Sequence, residues 1–432
     1  MTELQLAKGV NDIPPEEKIL TNEVVQTIKE AFELFGFAPL ETPLIERYET
    51  LASKFAAGEA SDALKEVFKM KDQGNRDLGL RFDLTVPLAR FVAMNPTLKM
   101  PFKRYEMGPV FRDGPIKLGR TRQFWQCDAD VVGSASLLNE AELLSIFSMV
   151  FEKLNLPVIV KINNRKILNG ILEQAGLNEK EEREKAIVAI DKLDKIGKDG
   201  VSKELQERGC SKKQSDALFT FIKEGITLQE LEQKLTTEEG KQGIAELKEV
   251  FSYLKMLGVK CVKFDVSLAR GLAYYTGAVF EVFLQKGSIT SSLGSGGRWD
   301  NMIGQFMGSN REVPAVGISF GLVPIAEALK EKRKLEKKQE RKTSTQVLVI
   351  SINTLNDSLQ TVRELREAGI AAEIALGKGV SKNLDYANAL GIPFAAILGE
   401  DELKKKKVLL KDMQAGTEQL LAVKDVVKRV KR

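Results

Sequence analysis

The segment Phe102–Asp130 reads FKRYEMGPVFRDGPIKLGRTRQFWQCDAD, and its reading decides the fold. It predicts a strand, a loop punctuated by Gly114 and Pro115, and a second strand that carries Arg120 and Arg122. Side chains alternate faces along a strand, so Arg120, Arg122, Phe124, Gln126, Asp128 and Asp130 share one side, and Thr121, Gln123, Trp125, Cys127 and Ala129 the other. The first face runs from cationic through aromatic to acidic. At ~3.3 Å per residue, Arg122 and Gln126 lie about 13 Å apart and Asp130 a similar step beyond, a span comparable to a nucleotide joined to an amino acid. An antiparallel hairpin rich in arginine suits phosphate. A solvated, salt-bridged hairpin is the plainer alternative, but it gives no reason to align Phe124 and Gln126 with two arginines.

Composition bounds the answer independently. The chain has 432 residues, 43% of them hydrophobic, enough for about three domains that each bury a core. No apolar run approaches the ~20 residues of a membrane helix, and the polar start Met1-Thr2-Glu3-Leu4-Gln5 lacks a signal-peptide core, so the expected location is cytoplasmic. Cys127, Cys210 and Cys261 are too few and too scattered for a disulfide framework or a cysteine zinc site, and fit reduced thiols. The chain contains no histidine at all. That removes the Ser-His-Asp triad, imidazole metal ligands and imidazole acid-base chemistry, and leaves arginine, carboxylates, tyrosine or the substrate itself to do chemical work.

The hairpin resembles motif 2 of class II aminoacyl-tRNA synthetases, in the form found in histidyl-tRNA synthetases: an aromatic-Arg pair (Phe111-Arg112), then Gly119-Arg120-Thr121-Arg122-Gln123-Phe124 and Gln126. Three further blocks agree in order. Leu80-Arg81-Phe82-Asp83-Leu84-Thr85 is similar to the family's amino-acid-binding strand, and Arg270-Gly271-Leu272-Ala273-Tyr274-Tyr275 to its histidine signature. Gly296-Gly297-Arg298-Trp299-Asp300 with Pro314–Leu322 resembles the Gly-Gly-Arg-Tyr-Asp block and motif 3. The likeness extends from about Gly9 to the end of the chain.

The resemblance implies an α/β protein with an α+β catalytic core: an antiparallel class II sheet flanked by helices, a helical insertion and a C-terminal α/β anticodon-binding domain. It implies a homodimeric histidine–tRNA ligase that makes histidyl-adenylate from histidine and Mg-ATP and charges tRNA(His), with no resident metal or tightly bound cofactor. Such chemistry needs no general base, because the substrate carboxylate is the nucleophile and the protein must orient it and neutralise phosphate. Carried over position by position, Arg112 meets the α-phosphate and the histidine carboxylate. Asp83, Thr85, Gln126 and Asp130 bind the amine and ring, and Tyr274 and Tyr275 wall the side chain. Arg270 binds histidine and stabilises charge on the α-phosphate. Arg120 and Arg122 join Arg112 on ATP, and Phe124 stacks on adenine.

Some positions depart from the pattern. Thr121 and Ala273 stand where Tyr and Asp are usual, Trp299 replaces Tyr, and Pro324 occupies the place of the motif 3 Arg that covers adenine and reaches the γ-phosphate. Arg120, Arg122 or Arg298 is the expected substitute cation. An enzyme of this kind without histidine codons could still be made when histidyl-tRNA runs short, although compositional drift is the simpler explanation of the absence.

The organisation expected along the chain is a first catalytic part at 1–163, a helical insertion at 164–249, a second catalytic part at 250–330, a basic linker at 331–345 and an anticodon-binding domain at 346–432. Apolar Leu20, Val24, Ile28, Phe32 and Phe35 predict an opening helix ended by Gly36, and Ala38–Glu46 with Pro43 falls where the family has the dimer-forming motif 1. Charged helical patterning fills the insertion, which the resemblance sets near the acceptor stem. The net charge is +5, and Glu331–Lys342 alone carries seven basic and three acidic residues, a solvated linker or an RNA-facing run. Beyond it, strand, helix, strand, helix and strand from Gln346 to Leu398 predict a small α/β domain, with a flavodoxin-like module as the alternative. Two other functions remain open: a histidine-sensing regulatory paralogue similar to the regulatory subunit of ATP phosphoribosyltransferase, and an RNA-binding scaffold.

Overall fold

The computed structural model describes residues 4–53, 66–116, 121–223, 225–271, 274–309, 311–336, 341–375, 377 and 379–431. They group into two units, Met1–Asn11 with Val24–Glu331, and Asp12–Glu23 with Lys332–Arg432. The chain opens with α1 (Pro15–Leu34), β1 (Ala38–Pro39), β2 (Ile45–Arg47), α2 (Tyr48–Leu51), β3 (Lys69–Lys71), β4 (Asp77–Leu80), α3 (Thr85–Met94), β5 (Phe102–Phe111) and β6 (Gln123–Val132). Next come α4 (Leu138–Lys153), β7 (Val158–Asn164), α5 (Arg165–Gln174), α6 (Lys180–Ile190), α7 (Leu193–Glu207), α8 (Lys212–Leu218), α9 (Leu228–Lys234) and α10 (Glu238–Met256). Then β8 (Val262–Phe264), β9 (Ala278–Leu284), β10 (Gly294–Arg298), α11 (Met302–Phe306), β11 (Ala315–Gly321) and α12 (Leu322–Leu335) complete the first stretch.

Leu20, Val24, Ile28 and Phe32, one turn apart, are all buried along α1. The helix stops at Gly36, whose φ of 77° is a conformation few side chains tolerate. There the Phe37 N–H donates back to the Phe32 carbonyl at 3.0 Å, and the two rings meet with centroids 6.3 Å apart. This six-to-one closure with its apolar contact satisfies carbonyls that the helix end leaves open.

The main sheet runs β1-β5-β6-β11-β10-β9-β7-β8. Its six central strands are antiparallel throughout, and only the edge strands β1 and β8 pair in parallel. In the quoted hairpin, β5 and β6 pair in unbroken register from Phe102 opposite Val132 to Phe111 opposite Gln123. One face of β6 packs Cys127, Ala129 and Val131 into the interior, which leaves the other face to the site. A short β2-β4-β3 sheet leads into α3. The sequence reading sets Asp83 and Thr85 on a strand. Instead β4 ends at Leu80, and Asp83 Oδ1 accepts the Val86 N–H at 3.0 Å, starting α3 with Thr85 as its first residue. An acid placed to satisfy first-turn N–H groups initiates a helix and outweighs the local strand pattern.

Helices α5 to α10 are built from the charged region expected to be helical. Asn164 caps α5 by accepting the Lys166 N–H, and capping boxes start α8 at Ser211 and α9 at Thr227. The basic run begins inside α12, which continues to Leu335. Lys332, Arg333 and Lys334 occupy its last turn, where cations complement the helix dipole. Residues 337–340 of the run lie outside the described residues.

The second unit holds β12 (Val347–Ser351), α13 (Leu355–Glu367), β13 (Ala372–Ile374), α14 (Val380–Leu390), β14 (Phe394–Leu398), α15 (Glu400–Lys404), β15 (Val408–Asp412), β16 (Glu418–Leu421) and α16 (Val423–Val430). Its sheet is ordered β13-β12-β14-β15-β16, parallel over the first three strands and antiparallel over the rest. Alternation along β12 feeds two cores: Val347 and Val349 pack with Val362, Leu365 and Val426, while Leu348 and Ile350 pack with Ala387 and Ile392. Each fully buried aliphatic side chain of this kind contributes about 1.5–3 kcal/mol. The fold is therefore α/β as expected, with an antiparallel-rich sheet flanked by helices and a separate C-terminal α/β unit.

Candidate active site

The exposed face of β6 forms one wall of a cavity of about 290 Å³. Phe124, Gln126, Asp128 and Asp130 line it, as the alternation requires, and Trp125 at the outer end of the strand borders it as well. The turn into α3 contributes Phe82, Asp83 and Thr85, and the loop after β8 contributes Arg270, Tyr274 and Tyr275. Arg112 closes the hairpin side. Its Nε donates to the Phe82 carbonyl at 3.1 Å, and its guanidinium lies 5.0 Å from the Phe124 ring centroid. That face of Phe124 is thus a cation–π partner of Arg112.

The neighbouring strands β11 and β10 continue this surface of the sheet, with Gly294, Gly296, Gly297, Gly317 and Gly321 along the cavity. Gly317 is the position that matters most. It pairs with Asp130 across the sheet, and a Cβ there would occupy the space of Asp130 Oδ1. Only a residue without a side chain lets that carboxylate sit at the cavity floor.

Beneath the floor lies a network that sequence reasoning missed. Arg104 on β5 is completely buried; its Nη2 donates to the Leu84 carbonyl at 2.9 Å and lies 2.9 Å from Asp130 Oδ2. Asp130 Oδ2 is held by charge rather than by a well-aligned hydrogen bond. Next to it Arg81 Nη1 donates to Glu106 Oε1 at 2.7 Å with both side chains buried. Strand alternation could have set Arg104 and Glu106 on one face of β5, but nothing local names their partners.

Three buried acids face this pocket, and burial raises all of them. Asp83 is held above the usual carboxylate range by burial, against the hydrogen bond from Val86 and the charges of Arg112 and Arg104. Asp130 is pushed up to about 6 by burial, opposed by Arg104 and by a hydrogen bond from Trp299. Asp128 reaches about 8, because burial is only partly offset by Arg104 and the charge of Asp130 adds to it; Ser319 hydrogen-bonds its carboxylate. Gln126 Nε2 donates to the Ser319 hydroxyl at 3.1 Å, joining the two wall strands. Such clustering of perturbed acids in a cleft marks a binding or reaction site.

Arg270 adopts φ 43°, left-handed for a residue with a full side chain, a conformation that costs of order 1–3 kcal/mol. Its Nη1 donates to Glu281 at 3.1 Å, and its guanidinium lies 6.0 Å from the Tyr275 ring centroid. Tyr274 and Tyr275 stack at a slant, centroids 4.6 Å apart, and Tyr275 also packs on Leu268 and Val279.

Two of the cations expected to replace the motif 3 Arg are committed elsewhere. Arg298 is buried in a bidentate pair with Glu140, at 2.6 and 2.8 Å, and reaches Asp300 at 3.3 Å, so it holds β10 to α4 and does not line the cavity. Arg122 Nη2 pairs with Asp113 at 2.9 Å outside the cavity lining, while its backbone N–H donates to the Gly9 carbonyl at 2.7 Å. Arg120 lies outside the described residues. Pro324 falls in the first turn of α12, where a missing N–H costs the helix nothing.

Comparison with known proteins agrees with this geometry. Residues 9–325 match the family model for histidyl-tRNA synthetase, and residues 346–432 match that for an anticodon-binding domain. Histidine–tRNA ligase 1 of Bacillus cereus is 43% identical over 421 residues, 96% of this chain and 94% of that protein. Histidine–tRNA ligase of Clostridium tetani is 39% identical over 98% of this chain and 97% of its own length. Among solved structures, the histidyl-tRNA synthetase of a Nostoc species superposes with a TM-score of 0.86 at 33% identity, covering all of both chains. The chain belongs to the histidyl-tRNA synthetase family, aminoacyl-tRNA synthetases that ligate histidine to its tRNA.

Proposed function

We propose that the cavity binds histidine and Mg-ATP side by side, forms histidyl-adenylate, and passes histidine to the 3′ end of tRNA(His). The observation that carries this reading is convergence: Asp83 and Thr85, Arg112, Phe124, Gln126 and Asp130, and Arg270, Tyr274 and Tyr275, which come from three separate family motifs, line one cavity with β10 and β11. A carboxylate oxygen of histidine bonds to the α-phosphorus, the bond to the bridging oxygen breaks, and pyrophosphate leaves with the electron pair. No proton has to be removed from the attacking carboxylate at neutral pH, which suits a protein without imidazoles. Arg112 and Arg270 neutralise the carboxylate and α-phosphate as charge develops between them. Asp83, Thr85, Gln126 and Asp130 hold the amine and ring, Tyr274 and Tyr275 wall the ring, and Phe124 carries adenine. Arg122 and Arg120 serve the outer phosphates, Arg122 after leaving Asp113.

The chain acts as a cytoplasmic homodimer in this reading, paired through the region of residues 38–46. Residues 164–249 form an insertion facing the acceptor stem, between catalytic parts at 1–163 and 250–330, and residues 346–432 read the anticodon beyond a linker at 331–345. A match of residues 346–432 to an anticodon-binding domain favours a ligase over a histidine-sensing regulatory subunit. ATP–pyrophosphate exchange tests the proposal: histidine, and no other standard amino acid, supports exchange. Folded protein without histidine-dependent exchange would move the assignment to the regulatory reading.

A further inference from the structure

Histidine differs from every other standard amino acid by a ring that takes up a proton near neutral pH. Resting on the functional reading above, we propose that Asp128 is a specificity-determining residue that, together with Asp130, binds the substrate ring as its protonated imidazolium. The two acids share one face of β6 and both line the cavity. Asp128 is 3% exposed, and its Oδ1 meets no donor among the described residues, although the Ser319 hydroxyl bonds the carboxylate. An imidazolium carries N–H on both ring nitrogens, whereas neutral imidazole carries one, so two adjacent carboxylate acceptors distinguish the charged ring.

Charge balance points the same way. The groups facing Asp128 are Asp130 on its own strand, Arg104 and the cross-strand partner of Asp128, Glu106, from β5, Asp83 from the turn into α3 and Ser319 from β11, with Glu106 itself paired to Arg81. Arg104 directs Nη2 to Leu84 and Asp130 and acts on Asp128 by charge alone, so no hydrogen-bond donor among the described residues reaches Asp128 Oδ1. With its carboxyl pushed up to about 8, Asp128 holds a proton in the empty pocket near neutral pH. On binding, that proton passes from the Asp128 carboxyl to the ring, leaving carboxylate and imidazolium, with no net exchange with solvent. The buried acid is then relieved of its missing partner, which an uncharged side chain of similar shape cannot do.

The test uses the full chain with ¹⁵N-labelled histidine at pH 7.5–8, where the free ring is neutral. Expected is a bound ring with imidazolium ¹⁵N shifts in the parent and a neutral ring in Asp128→Asn. In that variant the histidine KM for exchange rises about tenfold while kcat stays within a few-fold and the melting temperature does not fall. A neutral ring in the parent overturns the proposal even if the variant fails to fold, and so does an imidazolium unchanged in Asp128→Asn. Triazolylalanine, whose ring is far less basic, separates ring from amine: Asp128→Asn leaves its KM nearly unchanged if Asp128 serves the ring. An equal loss for histidine and the analogue would assign Asp128 to the amine and refute the ring role. If the parent failed to bind histidine at all, the functional reading itself would fall; if it bound histidine without exchange, only the catalytic claim would.

Discussion

The two sheets bury different kinds of side chain. In the first unit, Arg81, Asp83, Arg104, Glu106, Asp128, Asp130, Glu140, Arg165 and Arg298 are all buried, and most surround or underlie the cavity. In the second, the buried polar side chains among the described residues are Thr354, Ser358, Thr361 and Asn383, all uncharged, between two aliphatic layers. A buried charge gains little stability over an apolar group of similar size, and is costly once its partner is removed. The proposed function accounts for the difference, since a zwitterionic substrate and a polyphosphate require charge in a dry place. An apolar interior leaves the second unit's recognition chemistry to its surface.

The largest effect that separates the two regions is expected at the Glu140–Arg298 pair. Glu140→Ala strands the Arg298 guanidinium and should cost about 3–5 kcal/mol in denaturant unfolding. A loss below about 1 kcal/mol would mean that the buried charges of the first unit are not interdependent in the way described. Next, Arg270→Ala should lower kcat/KM for histidine-dependent exchange by about 3 kcal/mol, near 150-fold, with little change in melting temperature. Turnover within a few-fold of the parent would remove Arg270 from the chemistry.

A third, smaller effect follows from the raised acids. Because the folded-state value of Asp128 lies above its unfolded value of about 3.9, the folded protein binds the extra proton between the two. Its contribution to stability is complete below about pH 4 and lost as pH rises through about 8. Substrate-free protein should therefore lose up to about 2 kcal/mol between pH 6 and 8, and Asp128→Asn should flatten that slope. An identical slope in parent and variant would place the titration elsewhere. The smallest effect belongs to the second unit: Ile350→Val should cost about 1 kcal/mol in unfolding and leave exchange unchanged. A tenfold fall in exchange from that change would break the separation of the two regions.

What was legible in the sequence was periodic or local. The β6 alternation placed Phe124, Gln126, Asp128 and Asp130 on one face, the α1 stripe is buried, and the order of strands and helices after Gln346 matches the second unit. Pairs far apart in sequence were not legible. Glu140 and Arg298 are 158 residues apart, and Arg104 meets Asp130 only because β5 and β6 pair. The strand assigned around Thr85 failed for a local reason, since a carboxylate that satisfies a helix start looks like any other acid in an apolar run. Arg298 looked available for phosphate because the sequence does not reveal what a buried cation is already bonded to.

The bond from the Arg122 N–H to the Gly9 carbonyl has a consequence for how the chain is made. It ties together residues 113 positions apart (122 − 9), and Arg112 in turn donates its N–H to the Arg122 carbonyl. During synthesis the amino-terminal segment emerges long before the hairpin it fastens, so this anchorage is completed only after the second strand of that hairpin has left the ribosome. Trimming or extending the chain ahead of Gly9 therefore acts on the arginine-bearing end of the hairpin, although three helices and four strands of the described residues intervene in sequence. An affinity tag for this protein belongs at the other end.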